Sequence, residues 1–270
     1  MIIGGKEFDT DNDCYIMGIL NVTPDSFSDG GKWNNLDNAL SHAQNMIKSG
    51  ASIIDVGGES SRPGHERISI GEELDRTIPI IEALCDSFDV PISIDTCKSG
   101  VAEAAIKAGA SLVNDIWGLK SDTEMARVVA EAKLPCCLMH NRTNAEYNKF
   151  LPDMIADLKE SVAIAKKSGI AEDKIILDPG IGFAKTHEMN LEAINCLDAI
   201  VQMGYPVLLG ASRKRVVGNT LDLPVDERVE GSVAAAVIGF MRGCAFIRVH
   251  DVKETFRAIK MARSIVSAGI

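Results

Sequence analysis

Aromatic residues are scarce, 5% of a 270-residue chain, too few to furnish the platforms on which carbohydrate sites rely. Basic charge is short as well: 28 Lys+Arg against 38 Asp+Glu give a formal net charge of -10, which repels nucleic acid and anionic membrane surfaces. No apolar run approaches the ~20 residues of a membrane-spanning helix, and the first residues hold no basic stretch followed by an apolar one. A soluble, cytoplasmic protein without nucleic-acid or membrane partners is therefore expected. The seven cysteines are odd in number, scattered and without C-x-x-C spacing, so they read as reduced, mostly buried thiols rather than a disulfide framework, zinc site or redox pair. Nor does a G-x-G-x-x-G follow the first apolar run, since Gly18 lies inside it; a dinucleotide fold would lack its fingerprint.

What the chain does have is a repeated event. Residues 15–20 form an apolar run with the length of a strand buried on both faces, and polar Asn21 stands where it opens into a loop of Thr23, Pro24, Asp25, Ser26, Ser28 and Asp29. Further strands are predicted at 52–56, 92–94, 111–113, 136–139, 174–177, 207–209 and 245–249. Helices are predicted over 36–48, 70–88, 100–108, 122–132, 153–167, 190–203, 228–242 and 252–267. These make eight strand–helix units, and 46% hydrophobic residues can fill a large core. K-S-G-A-S-I-I-D-V from Lys48 and K-A-G-A-S-L-V-N-D-I from Lys107 are near copies of one such unit. Gly50, Gly109, Gly169 and Gly243 precede alternate strands, with Pro91, Pro135 and Pro206 before the others. The predicted fold is α/β, a TIM (β/α)₈ barrel in a single domain spanning 1–270, with an open doubly wound sheet as the alternative. Residues 1–8 read as a hairpin turning at Gly4-Gly5, within an N-terminal stretch 1–14 that could cover the closed end of the barrel.

In such a barrel the strand ends converge on one mouth. They carry Asn21, Asp55, Asp95, Asn114, Asp115, His140, Asp178, Ser212, Arg213, Lys214, Arg248 and His250. Any one of these has an ordinary reading as a cap or turn former; a polar residue at the end of every strand is harder to assign that way. Arg248 and His250 alternate along the last strand and so share a side, opposite apolar Ile247 and Val249. An inward Arg at a barrel mouth calls for an anion, and Arg213 and Lys214 follow the seventh barrel strand, where barrels commonly bind phosphate. Asp95 and Asp178, with Asn114 between them, offer acceptors to a planar ring rich in N–H groups. Paired carboxylates would also serve a glycosidase, although the shortage of aromatics speaks against it.

Taken together, N-V-T-P-D-S-F-S-D-G-G from Asn21, D-V-G-G-E-S-S-R-P-G from Asp55, S-I-D-T from Ser93, V-N-D-I from Val113, L-D-P-G-I-G-F from Leu177, S-R-K from Ser212 and R-V-H-D-V from Arg248 closely resemble the dihydropteroate synthase family, in order and along nearly the whole chain. The resemblance implies a TIM-barrel transferase, the sulfonamide target, that joins 6-hydroxymethyl-7,8-dihydropterin diphosphate to 4-aminobenzoate, giving 7,8-dihydropteroate and diphosphate for folate biosynthesis. It implies that Asp95, Asn114, Asp178 and Lys214 hold the pterin, with Met139 lining the slot. Asn21 is assigned to Mg²⁺ on the diphosphate, and Arg62, Arg248 and His250 to the diphosphate itself. Phe27, Ser61, Pro63, Phe183, Ser212 and Arg213 would shape the aminobenzoate pocket, and Arg62, Lys214, Arg248 and His250 would carry the catalysis.

The loops holding Ser26 to Asp29 and Ser61 to Gly64 are expected to close over the bound diphosphate. Two positions depart from the family pattern: Ser61 stands in place of Thr, and Ala184 in place of Gly. Cys97 follows Asp95-Thr96 near the mouth, but the chemistry needs no thiol nucleophile. A homodimer through outer helices is implied, with Ala234, Ala235, Ala236 and Ile238 as packing candidates, and no fused pyrophosphokinase or aldolase activity is expected. Two rivals stay open at this stage: a barrel presenting methyltetrahydrofolate for methyl transfer to a corrinoid, and a pterin-binding barrel without synthase activity.

Overall fold

A computed structural model describes residues 1–22, 32–59 and 67–268, with the backbone alone described for 32–35. Phe27, Ser61, Arg62 and Pro63, and the loop closure expected around them, lie outside the described residues. Two short strands, β1 (Ile2–Ile3) and β2 (Lys6–Glu7), pair antiparallel. Eight parallel strands follow: β3 (Tyr15–Asn21), β4 (Ala51–Gly57), β5 (Ile92–Asp95), β6 (Leu112–Asp115), β7 (Cys136–Met139), β8 (Ile175–Asp178), β9 (Leu208–Leu209) and β10 (Phe246–Val249). Their order is β8-β7-β6-β5-β4-β3-β10-β9, and a parallel bridge between Leu177 and Val207 brings the two outer strands together. The chain thus forms the expected TIM barrel, and the open doubly wound sheet is ruled out.

Ten helices are described around it: α1 (Lys32–Lys48), α2 (Ile70–Ser87), α3 (Ser99–Lys107), α4 (Met125–Ala132), α5 (Phe150–Lys167), α6 (His187–Asn195), α7 (Leu197–Val201), α8 (Arg215–Leu221), α9 (Val229–Met241) and α10 (Val252–Val266). Helices α1 and α5 begin at Lys32 and Phe150, before the expected Leu36 and Asp153, and three further differences have local reasons. The helix expected over 122–132 begins only at Met125, because the Asp122 carboxylate is taken by the backbone N–H groups of Ser99 and Glu124. The helix expected over 190–203 starts earlier, capped by Thr186, and breaks at Cys196, whose φ of -104° and ψ of 25° interrupt the helical path. The short α8 was not foreseen: its seven residues follow a basic loop and end at Asp222 in a left-handed conformation, too brief a segment to show helical periodicity.

Side chains alternate along each strand, and the two faces have different compositions. Outward residues such as Ile16, Leu20, Ile54, Val56, Ile94, Leu138 and Ile247 pack against the helices. Inward residues near the strand starts form a separate apolar floor of Met17, Ile53, Leu112, Cys137, Ile176, Leu208 and Phe246, which the N-terminal hairpin seals with fully buried Ile3 and nearly buried Phe8. Further along β4, β5, β6 and β8 the interior turns polar, with Asp55, Ser93, Asp95, Asn114 and Asp178 all buried. The lower half of the barrel is core; the upper half is available for chemistry.

The glycines noted before alternate strands all have positive φ: Gly50 at 109°, Gly109 at 111°, Gly169 at 92° and Gly243 at 90°. They turn the chain back from a helix towards the sheet in a region that L side chains rarely adopt. At Gly50 an added Cβ would also fall 2.4 Å from the Phe256 ring, whereas at Gly169 it would meet nothing within 4 Å. We therefore expect Gly50→Ala to cost about 2–4 kcal/mol, combining backbone strain with overpacking, and Gly169→Ala only about 1–2 kcal/mol. Urea unfolding midpoints check this; equal losses at the two sites would contradict it.

Candidate active site

The polar half of the barrel is built around Arg248, which reaches inward from β10. Its Nε donates to Asp55 Oδ2 at 2.5 Å and its Nη2 to Asp95 Oδ2 at 2.6 Å. Both carboxylates are buried, Asp55 completely. Burial works against the guanidinium charge, but Asp55 and Asp95 outweigh it and raise the Arg248 pKa. Asp95 is pushed up to about 7, first by burial and then by neighbouring Asp55, with Arg248 opposing. Asn114 lies beside Asp95 in register and donates from Nδ2 to the same Asp55 oxygen at 3.2 Å.

Asp178 ends β8 opposite Met139 of β7, which is 3% exposed and faces inward like Cys137 below it. Asp178 Oδ1 accepts the Gly180 N–H at 2.7 Å, and burial raises its pKa while Lys214 opposes the rise. Lys214 precedes α8, donates from Nζ to Ile181 O at 2.5 Å, and stands 4.9 Å from the centre of the Phe183 ring. Burial lowers its pKa to about 8 despite the nearby Asp178. A Cβ placed on Gly210 would lie 3.8 Å from both Asp178 Oδ2 and Lys214 Nζ and 3.9 Å from Arg248 Cβ. These three side chains therefore gather around one backbone position that carries no side chain of its own. Asn21 joins the group from β3: its Oδ1 would be 3.4 Å from a Cβ on Gly57, and Asp95 Cβ 3.7 Å from it.

Not every expected residue turns to this centre in the same way. Ser212 Oγ pairs with His250 Nδ1 at 3.1 Å and accepts the His250 N–H at 3.2 Å, tying the ends of β9 and β10 together. Arg213, with φ 56°, closes its fork on Asp251 from Nε and Nη2 at 2.9 and 2.5 Å. Its side chain is thereby committed to the start of α10. His140 is buried and held on both ring nitrogens, Nε2 by Asp157 at 3.0 Å and Nδ1 by Lys185 at 2.8 Å. Burial raises the Cys97 thiol to a pKa of about 11, so it is protonated at neutral pH.

Two residues escaped the sequence reading as members of this assembly. Asp55 was noticed only as a strand end, although a carboxylate inside A-S-I-I-D-V-G is itself the signal of a buried partner. Lys185 follows the loop of Phe183 and reads in sequence as a solvated charge, yet it is engaged by three acceptors.

The barrel mouth combines buried planar acceptors with buried cations, and the family model described as "Pterin binding enzyme" matches residues 17–250. The chain is 58% identical over 267 residues to the dihydropteroate synthase of Clostridium beijerinckii, covering 98% of this chain and 99% of that protein. It also superposes on the dihydropteroate synthase of Clostridium difficile crystallised with pteroic acid, at TM-score 0.94 and 47% identity, covering 96% of this chain and 99% of that one. The Xanthomonas albilineans dihydropteroate synthase with 4-aminobenzoic acid matches at TM-score 0.92 and 37% identity, over 95% and 94% of the two chains. The chain belongs to the dihydropteroate synthase family of transferases.

Asp95 gives the site a pH signature. Its pKa rises from 3.8 unfolded to about 7 folded, so the folded state holds this proton more tightly. The stabilisation that results is complete below about pH 4 and is lost as the pH climbs to about 7. Urea unfolding at pH 4.5 and pH 7 should show a smaller loss of stability over that interval in Asp95→Asn than in the wild type; identical losses would contradict the assignment.

Proposed function

We propose that the protein condenses 6-hydroxymethyl-7,8-dihydropterin diphosphate with 4-aminobenzoate, releasing diphosphate and forming 7,8-dihydropteroate. The observation that carries this reading is the convergence of Asp95, Asn114, Asp178 and Lys214 in the polar half of the barrel, together with Arg248. A pterin presents a planar edge of N–H donors, which two carboxylates and an amide oxygen can accept. Lys214 supplies a donor to the ring's acceptors and, with Met139 and Phe183, walls the slot. The small molecules crystallised with the related proteins, pteroic acid and 4-aminobenzoic acid, resemble the product and the arylamine substrate of this reaction.

The chemistry is a displacement at the methylene carbon. Its bond to the diphosphate oxygen breaks, leaving positive charge shared with the ring; the arylamine nitrogen then bonds to that carbon and sheds a proton. Arg248, His250 and Arg62 stabilise the departing negative charge, and Ser212 positions His250 through the pair already described. Phe183, Phe27, Ser61, Pro63 and Ser212 are assigned to the arylamine pocket, with Arg213 bracing it through Asp251. Catalysis of this kind is positioning and electrostatics, with no covalent enzyme intermediate. Asn21 is a neutral oxygen donor at the rim beside Asp95, and among the described residues no group of three His, Cys, Asp or Glu competes for a cation. That donor set fits Mg²⁺ held mainly by water and substrate phosphates; bound there, the ion would add charge to the diphosphate.

Helices α9 and α10 pack side by side and carry exposed Ile238, Met241, Met261 and Ile265. We place a homodimer contact on this face. Of the alanines singled out in the sequence, Ala235 and Ala236 are buried in the chain's own core, while Ala234 is exposed with Ile238. No helix of the described residues is long and apolar enough to cross a membrane, and the seven unpaired cysteines suit a reducing cytoplasm.

Diphosphate release, followed with and without 4-aminobenzoate and with and without Mg²⁺, tests the reading: release that needs the metal and yields dihydropteroate supports it, and pterin binding without release under any condition refutes it. Arg248→Ala should lower kcat by about 10²–10³-fold, the equivalent of about 3–4 kcal/mol for a lost charge-stabilising contact. A rate within about twofold of wild type would remove Arg248 from its role.

A further inference from the structure

We propose that Lys185 is a positioning residue for arylamine capture, its ammonium clamping the backbone of the segment that carries Phe183. This rests on the reading of Phe183 as a wall of the arylamine pocket.

The segment 180–184 is shaped by side chains rather than by regular structure. Gly180, Gly182 and Ala184 have φ of 68°, 86° and 44°, and at Gly180 an added Cβ would fall 1.9 Å from His140 O. Ala184, where the family pattern has glycine, holds a conformation that a Cβ disfavours. Its carbonyls are taken one after another. Lys185 Nζ donates to Gly180 O at 3.0 Å and Phe183 O at 3.1 Å, Lys214 Nζ to Ile181 O at 2.5 Å, and Tyr147 OH to Ala184 O at 2.9 Å. Lys214 faces the pocket; Lys185 holds the same segment from behind.

The third contact of Lys185 fixes its charge state. Its Nζ stands 2.8 Å from His140 Nδ1, and His140 Nε2 is 3.0 Å from Asp157 Oδ2, which Arg142 Nε also grips at 2.6 Å. A carboxylate accepts, so Nε2 carries the imidazole proton and Nδ1 is an acceptor. Lys185 therefore faces three acceptors, and only an ammonium has three N–H groups; a neutral amine would turn its lone pair on one of them. Deprotonation releases part of the clamp. Burial brings the Lys185 pKa down to about 7, with Lys214 and Arg142 also opposing its charge and Asp178 and Asp157 favouring it. His140, lowered to about 3 by burial and Lys185, stays neutral throughout.

The test is the KM for 4-aminobenzoate at saturating pterin diphosphate and Mg²⁺, measured from about pH 6 to about pH 9 beside kcat. The clamp is closed below pH 7 and opens above it, so wild-type KM should rise about fivefold across that range, the effect of one hydrogen bond lost, while kcat changes much less. Lys185→Met should start at the raised KM and show no pH dependence. Asp157→Asn, which removes a charge favouring the ammonium, should move the wild-type inflection to lower pH and keeps the test open if Lys185→Met does not fold. Dihydropteroate formation with a wild-type KM flat across the range, or a rise left in place by both variants, overturns the clamp alone. Wild-type protein that forms no dihydropteroate overturns the synthase reading and this inference with it.

Discussion

A single guanidinium, Arg248, spans the polar half of the barrel and makes the rest of the site possible. Asp55, Asp95 and Asp178 converge on Arg248 and Lys214 as the cations between them. Buried carboxylates without a partner would protonate or push apart. Arg248 opposes this by geometry as well as charge: Nε meets Asp55 and Nη2 meets Asp95, two directed bonds from one planar group. Asp55 in turn holds Asn114 by its Nδ2, so the orientation of this buried amide follows from the same ion pair. Two orphans remain: among the described residues Asp55 Oδ1 and the neighbouring Ser93 Oγ have no partner, a place suited to a buried water.

The division of the barrel into an apolar floor and a polar roof explains how so much charge can be buried in a stable fold. Met17, Ile53, Leu112, Ile176, Leu208 and Phe246 close the interior from below, and Ile3 and Phe8 of the hairpin exclude water from that end. The depressed pKa of Lys214 and the raised pKa of Asp95 are consequences of this burial, which leads the causes of both.

Much of this was legible in the sequence, for a specific reason. Parallel barrel strands are buried on both faces, so runs such as 136–139 stand out from their surroundings, and each ends where a polar residue begins the loop. That pattern alone placed Asn21, Asp95, Asn114, Asp178, Lys214 and Arg248 at one mouth. It could not say that Arg248 is answered from within by Asp55, because pairing across 193 positions of sequence leaves no local trace. Nor could it turn Arg213 towards Asp251, or separate His140 into the network behind Phe183; strand-end position is shared by residues that face the ligand and residues that brace them. The short α8 was missed because fewer than two full turns show little periodicity, and the break at Cys196 because buried Ala193, Leu197 and Ile200 keep helical spacing across it.

The central claim is that the geometry of Arg248, and not merely its charge, organises the pterin site. Calorimetric titration of 6-hydroxymethyl-7,8-dihydropterin diphosphate with Mg²⁺ into Arg248→Lys tests it most directly. A lysine keeps the cation but cannot bond Asp55 and Asp95 with two fixed donors, so affinity should fall by about tenfold or more while the protein remains folded. Wild-type affinity in Arg248→Lys would contradict the account.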